Sequence, residues 1–192
     1  MKYLELQEQL KALKKPFYTM ADFEKITGTD KRSLSVMLSR LSKKKLLIRL
    51  TKGIFILPEN LDKLPEIANQ LYSPSYLSFE SALSLYGVLS QYPYTITFAA
   101  PRKTKKLQLY DREVEYRQIK PSLFIAFVKQ NNLFLATPEK ALLDQLYLVS
   151  KGVATLSKEE LDLSSVDKKK ILKLSKIFPG SVQRATKEIL KD

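Results

Sequence analysis

The chain of 192 residues contains no cysteine and no histidine, and only five glycines. Without cysteine there is no disulfide framework, no thiolate zinc site and no thiol nucleophile. Without histidine there is no Ser-His-Asp triad, no His-ligated metal and none of the commonest general base. Five glycines leave little for a phosphate-cradling loop. Any enzyme built on this chain works through Asp, Glu, Lys, Ser or Tyr. No targeting signal is expected: the start, Met-Lys-Tyr-Leu-Glu-Leu-Gln-Glu-Gln, is acidic where a signal peptide needs an apolar core. The one long uncharged run, Ser81 to Pro101, is 21 residues. Nine of these are Ser, Thr, Gln, Gly or Pro, and Gly87 and Pro93 interrupt it. It reads as buried protein core rather than a membrane span, and the expected location is the cytoplasm.

What the chain has is positive charge and enough apolar residues for a core. Lys and Arg number 33 against 20 Asp and Glu, a net charge of +13, and 44% of residues are hydrophobic. That supports one or two folded domains and not a disordered chain. The excess charge is uneven. Residues 29–53 carry eight basic groups and one acid, Asp30. A cationic stripe on a small folded module is the footprint of a polyanion binder.

Residues 1–60 read as a winged helix-turn-helix. Tyr3, Leu6, Leu10 and Leu13 recur at helical spacing until Pro16. Thr19 with Asp22 starts a second helix, buried on Phe23 and Ile26, and Gly28 permits a sharp turn. Thr29 or Asp30 caps a third helix with the apolar stripe Leu34, Met37, Leu38 and Leu41. Leu46–Leu50 and Ile54–Leu57 flank Thr51-Lys52-Gly53 as a hairpin with a cationic tip.

At 100° per residue, the side of the third helix away from its apolar stripe carries small residues and cations. Arg32, Ser35, Val36 and Ser39 are expected to meet base edges in a major groove. Lys31, Arg40, Lys43 and Lys44 are expected to meet phosphates, with Arg49 and Lys52 of the hairpin reaching the flanking backbone or minor groove. Lys45 is expected to point back toward the apolar side.

Residues 61–192 read as a larger α+β domain, a small mostly antiparallel sheet with helices around it and a helical tail from Ser157 broken at Pro179-Gly180. Expected hairpins are Leu107–Tyr110 with Val114–Ile119, and Leu123–Val128 with Leu133–Ala136. Ser78 and Thr137 are expected N-caps. Arg102, Lys103, Lys105 and Lys106 form a second basic cluster, suited to DNA, an acidic partner or solvent. Glu113 and Glu115 share a strand face, but Arg117 stands where a metal-dependent nuclease would want a lysine. No catalytic residue, metal or cofactor is expected.

Two segments carry a resemblance: Tyr76-Leu77-Ser78-Phe79-Glu80-Ser81-Ala82-Leu83-Ser84-Leu85-Tyr86-Gly87-Val88, and Thr137-Pro138-Glu139-Lys140-Ala141-Leu142-Leu143-Asp144. With Lys52-Gly53-Ile54-Phe55 before them, they resemble the AbiEi antitoxin family of bacterial abortive-infection toxin–antitoxin systems, over roughly residues 5–150. The resemblance implies an N-terminal domain that binds double-stranded operator DNA, with an inverted repeat as its natural site, and represses its own operon. It implies a C-terminal domain that counteracts a nucleotidyltransferase-like toxin in a type IV pairing, which needs no stable complex. Ser81, Glu139, Lys140 and Asp144 match the motifs and are expected to hold the fold. The alternatives are an orphan winged-helix regulator with no toxin, a protein-interaction module, and a carboxylate-dependent nuclease.

Overall fold

Helix starts and stops in the first part of the chain follow local capping chemistry. The Thr19 side chain accepts from the Asp22 amide, and Asp22 accepts in return from the Thr19 amide at 2.8 Å, a reciprocal capping box. Gly28 ends that helix at φ +62°, a left-handed conformation open to glycine at little cost. Asp30 then accepts from the amides of Arg32 and Ser33 at 2.9 and 3.1 Å and starts the next helix.

The computed structural model describes residues 3–191 and shows an α+β protein with eight α-helices, a three-stranded antiparallel sheet and a mixed six-stranded sheet. The chain divides into two compact units. One runs to Ile67 and takes in Gln108–Asp111; the other comprises Ala68–Leu107 and the chain from Arg112. The division therefore falls beyond the expected boundary at residue 60, inside a helix.

The first unit holds α1 (Tyr3–Ala12), β1 (Tyr18–Thr19), α2 (Met20–Thr27), α3 (Lys31–Lys43), β2 (Ile48–Thr51) and β3 (Ile54–Ile56), with sheet order β1-β3-β2. Its core is Leu6, Leu10, Tyr18, Phe23, Leu34, Leu38, Leu47, Phe55 and Leu57. Phe23 meets Tyr18 and Phe55 edge-on at 6.2 and 5.6 Å, and the Tyr18 hydroxyl donates to the Leu10 carbonyl at 2.9 Å. The β2–β3 hairpin turns at Lys52-Gly53 and carries a bulge between Arg49 and Thr51. Leu13, expected on the buried stripe of α1, is exposed because the helix ends before it.

The division falls within α4 (Leu64–Leu71), which leads to β4 (Tyr76–Leu77), α5 (Phe79–Leu85), β5 (Ile96–Ala100), β6 (Lys105–Leu109, its last two residues counted with the first unit), β7 (Arg112–Gln118), β8 (Phe127–Gln130) and β9 (Leu133–Ala136). Then come α6 (Pro138–Val149), α7 (Lys168–Ser175) and α8 (Gly180–Ile189). The sheet order is β6-β7-β5-β4-β9-β8. β4–β5 and β8–β9 are antiparallel, but β5–β7 and β4–β9 are parallel. The sheet is thus mixed where the hairpin pattern suggests a mostly antiparallel one. A hairpin strand lies between β5 and β7 in sequence and outside them in space, and no local pattern encodes that crossover. The tail also differs from expectation: residues 161–167 are irregular after a short 3-10 turn, and the two helices begin at Lys168 and Gly180.

α6 is buried from Glu139 to Leu148 and packs on α5, α7 and α8. It carries an ion pair with no solvent exposure at either partner, Lys140 with Asp144. Asp144 also accepts from the Tyr76 hydroxyl at 2.9 Å and the Ser78 hydroxyl at 2.8 Å, and Lys140 donates to Tyr76 at 2.7 Å. Ser78 stands at the N-cap of α5 but spends its hydroxyl on Asp144 and makes no side-chain cap bond. Burial pushes the Asp144 carboxyl up from its ordinary range, against the opposing pull of the Lys140 ammonium and the two hydroxyls. Burial likewise pushes Lys140 down, against Asp144.

A charge left alone at that site is strongly unfavourable, whereas an apolar replacement of both partners is not. Lys140→Met should lower unfolding stability by about 3–5 kcal/mol in urea denaturation, and Lys140→Met with Asp144→Leu should recover most of that loss. A single variant as stable as the parent chain would show that the pair is not buried together.

Candidate nucleic-acid interface

Burial sets the rotation of α3. Leu34 and Leu38 are 0% and 1% exposed, and Met37 and Leu41 pack partly against the same core. The opposite side therefore faces water, and Arg32, Ser35, Val36, Ser39, Arg40 and Lys43 are all exposed. Val36 stays 48% exposed at mid-helix, an apolar side chain among cations.

Two grooves flank α3. Toward the hairpin, a groove of about 670 Å³ is lined by Ser35, Ser39, Ser42 and Lys43 of the helix and by Arg49, Lys52 and Gly53 of the hairpin. Met20, Leu38 and Phe55 complete its walls. On the other side, a groove of about 610 Å³ is lined by Arg32, Ser33, Val36, Met37, Arg40, Leu41 and Lys44. Neither contains a carboxylate. The structure thus brings the expected residues onto one module but separates them. Ser35 and Ser39 look toward the hairpin, whereas Arg32 and Val36 look away from it. Lys31 lines neither groove and stands exposed at the first position of α3. Lys45 lies past the helix end at φ +57° and is exposed, so it does not turn back to the apolar side.

Among the described residues, Lys31, Arg32, Arg40, Lys43, Lys44, Arg49 and Lys52 make no ion pair with a carboxylate. Lys31 and Arg32 also occupy the first turn of α3, the positive end of the helix dipole. Cations there are unfavourable by about 0.3–1 kcal/mol each at low salt. The Asp30 carboxylate at the cap offsets part of that, and the bonds it accepts hold it below the usual carboxylate range. Unpaired like charges on one surface and cations at a helix start are both arrangements that an anion would relieve.

Ser42 escaped the sequence reading. It stands at i+7 from Ser35 and i+3 from Ser39, which puts it on the same flank of the helix, and its hydroxyl oxygen is buried with no protein partner.

The second basic cluster is mostly occupied within its own unit. The Arg102 guanidinium lies 4.2 Å from the Tyr72 ring centroid and donates to the Ser73 carbonyl. Lys105 approaches the same ring at 5.3 Å. Lys106 pairs with Glu113 at 3.7 Å and Glu115 at 3.5 Å. Lys103 contributes its carbonyl, which accepts from the Tyr72 hydroxyl at 2.7 Å. The carboxylates considered for metal chemistry are held too. Glu115 accepts from Arg117 at 2.8 Å, and Arg117 donates to both Glu80 oxygens at 2.9 and 2.7 Å. Glu139, which matches one motif, accepts from the Asp167 amide at 3.1 Å. Ser81 exchanges hydrogen bonds with Thr97, whose amide donates to the Ser81 hydroxyl at 2.9 Å. Among the described residues no helix is long and apolar enough to cross a membrane.

No protein-family model matches the chain, and no curated protein matches it. Among solved structures, the crystal structure of the RV2827C protein from Mycobacterium tuberculosis is similar, with a TM-score of 0.65 at 14% identity. The match covers 97% of this chain and 75% of that one. At that identity the likeness is one of fold.

Arg102→Ala removes the cation from the Tyr72 face and the bond to Ser73. It should cost about 0.5–1 kcal/mol of stability, while Lys103→Ala stays within about 0.5 kcal/mol of the parent. Urea denaturation of the two variants checks this, and equal effects would show Arg102 to be as free as Lys103.

Proposed function

We propose that the chain is a bacterial DNA-binding regulator whose first unit works as a winged helix-turn-helix. In this reading α2, the Gly28 turn and α3 form the helix-turn-helix, α3 enters the major groove, and the β2–β3 hairpin is the wing. The observation that carries the reading is the face of α3 and its hairpin: cations without carboxylate partners, on a helix whose rotation the core fixes. A duplex supplies the anion that this surface lacks. In this reading Arg32 grips a guanine edge and Val36 lies against a thymine methyl. Lys31, Arg40, Lys43, Lys44, Arg49 and Lys52 take phosphates. The protein acts by binding, in the cytoplasm, and needs no cofactor.

The two motif segments extend the reading. Their resemblance to AbiEi antitoxins supports a repressor of its own operon whose second unit counteracts a nucleotidyltransferase-like toxin without requiring a stable complex. Lys140, Asp144 and Ser78 of those segments lie in the buried network, so their part in that activity is to hold α5 and α6 together. The occupied cluster around Arg102 gives the second unit no comparable free face at that place.

The test is a pair of substitutions read on a specific duplex taken from just upstream of the gene and on a scrambled duplex. Arg32→Ala should weaken specific binding by about 1–3 kcal/mol and relax the preference between the two. Lys43→Ala should weaken both alike and reduce the slope of log affinity against log salt by about one. An Arg32→Ala variant with unchanged affinity and preference would contradict the base-reading role. A loss confined to one base position in Lys43→Ala would contradict the phosphate role.

A further inference from the structure

The second unit has a cavity that the DNA-binding reading does not use. Its volume is about 240 Å³, and it lies between two loops, residues 89–93 and 155–160, over Glu80 of α5 and Gln145 of α6. The loops are tied to each other and to the sheet. Leu89 and Leu161 form a β-bridge, and the Asp162 amide donates to the Val88 carbonyl at 2.9 Å. The Arg112 guanidinium donates to the carbonyls of Pro93 and Tyr94 at 3.1 and 3.0 Å. The cavity is therefore preformed, and a ligand need not order its walls.

Its floor carries an unmet acceptor. Gln145 is 1% exposed, and its Nε2 donates to Glu80 Oε1 at 3.2 Å and to the Thr155 carbonyl at 3.3 Å. Both partners only accept, so the amide has one orientation, and its Oε1 is buried with no donor among the described residues. A donor entering the cavity removes the cost of that orphan oxygen. The lining is also acidic in a chain of net charge +13: Glu80 and Glu160 line it, and no Lys or Arg does. Glu80 accepts two contacts from Arg117 and one from Gln145, which leaves one of about four acceptor positions open. The ion cluster behind it keeps an excess negative charge, because Glu80, Glu113 and Glu115 share only Lys106 and Arg117. Glu160 is exposed and has no ion-pair partner among the described residues. At the rim Tyr92 is 83% exposed, a ring left open to solvent.

We propose that this cavity binds a guanidinium group, the side chain of an arginine presented by a partner protein. A guanidinium is cationic and carries five donors in one plane. It can serve Gln145 Oε1, Glu80 and Glu160 together and lay its face on the Tyr92 ring. An ammonium has three donors about one point and no flat face, so it serves this spread of acceptors less well. Free arginine fits less well too, because no cation lines the cavity to meet its α-carboxylate. The volume is also below the roughly 300–1,000 Å³ of ordinary small-molecule sites, a size that suits one side chain. The proposal concerns the second unit alone and stands or falls independently of DNA binding.

The experiment titrates the ¹⁵N-labelled full chain with N-acetyl-L-argininamide, an arginine side chain on a neutral backbone. Amide shifts should concentrate at Ser90, Gln91, Tyr92, Thr155, Leu156 and Glu160 and at the Gln145 side-chain amide. N-acetyl-L-citrullinamide, which has nearly the same shape and no charge, should produce none of them. Glu160→Gln should weaken the titration roughly tenfold, and Tyr92→Ala about two- to fivefold. Both side chains are exposed, so the fold should be retained, and circular dichroism verifies that. No localised shifts, or equal shifts with the citrulline probe, would overturn the site. N-acetyl-L-lysinamide binding as tightly as the arginine probe would overturn the guanidinium assignment. Free L-arginine binding about tenfold or more tightly than its capped form would overturn the partner protein as the source and make the free amino acid the occupant. Unchanged affinity in Glu160→Gln and Tyr92→Ala would also overturn the proposal, because the probe would then be held elsewhere.

Discussion

The burial of Leu34 and Leu38 is the constraint on which the proposed DNA-binding face depends. Both side chains are in the core formed by Leu6, Leu10, Phe23 and Phe55, and each leucine contributes about 1.5–3 kcal/mol by leaving water. The two are one helical turn apart, so their burial fixes the rotation of α3 about its axis. Everything exposed on the helix follows from that rotation: Arg32, Val36 and Arg40 on one side, and Ser35, Ser39 and Lys43 on the other. The same core holds Phe55 of β3, which pairs with Arg49 of β2 and brings the hairpin alongside the helix. The two grooves are therefore products of packing, and the charges in them are set by which residues the core leaves outside.

Local chemistry made the first unit legible. The Thr19–Asp22 capping box, the Gly28 turn and the Asp30 cap are short patterns whose partners lie within four residues. Each forms as its residue types suggest. The phase of α3 was readable because a 3.6-residue period needs no knowledge of the rest of the fold. Thr137 caps α6 for the same reason, accepting from the Lys140 amide at 3.3 Å. The distinction between the two sides of α3 was not legible. A helical wheel places Ser35 and Arg32 on one broad face, and only the position of the hairpin tells which flank each one lines.

In the second unit the limits of local reading are plainer. Strands β5, β7 and β9 announce themselves by apolar runs and turn residues, but where a strand is expected from Leu123 the chain makes a 3-10 turn to Leu123 and β8 starts only at Phe127, and the parallel β5–β7 and β4–β9 pairings depend on crossovers that no short pattern specifies. Charge counts at Arg102–Lys106 were correct, yet the partners that occupy those side chains come from Tyr72, Ser73, Glu113 and Glu115. Lys140 and Asp144, expected from the motifs to hold the fold, stand four apart on a helix, a spacing that by itself does not tell a surface pair from a buried one. Their complete burial, with Tyr76 and Ser78 closing the network, depends on the strand β4 more than sixty residues earlier. A buried pair of this kind is weak evidence for stability and better evidence that α6 has one fixed seat against β4.

The central claim is that the cationic face of the first unit selects a DNA sequence. The most direct test is equilibrium binding of the purified chain to the duplex immediately upstream of its own gene, compared with a scrambled duplex at about 150 mM salt. The account predicts a preference of about a thousandfold or more for the upstream duplex. Equal, weak and salt-sensitive binding to both duplexes, or no binding to either, would contradict it.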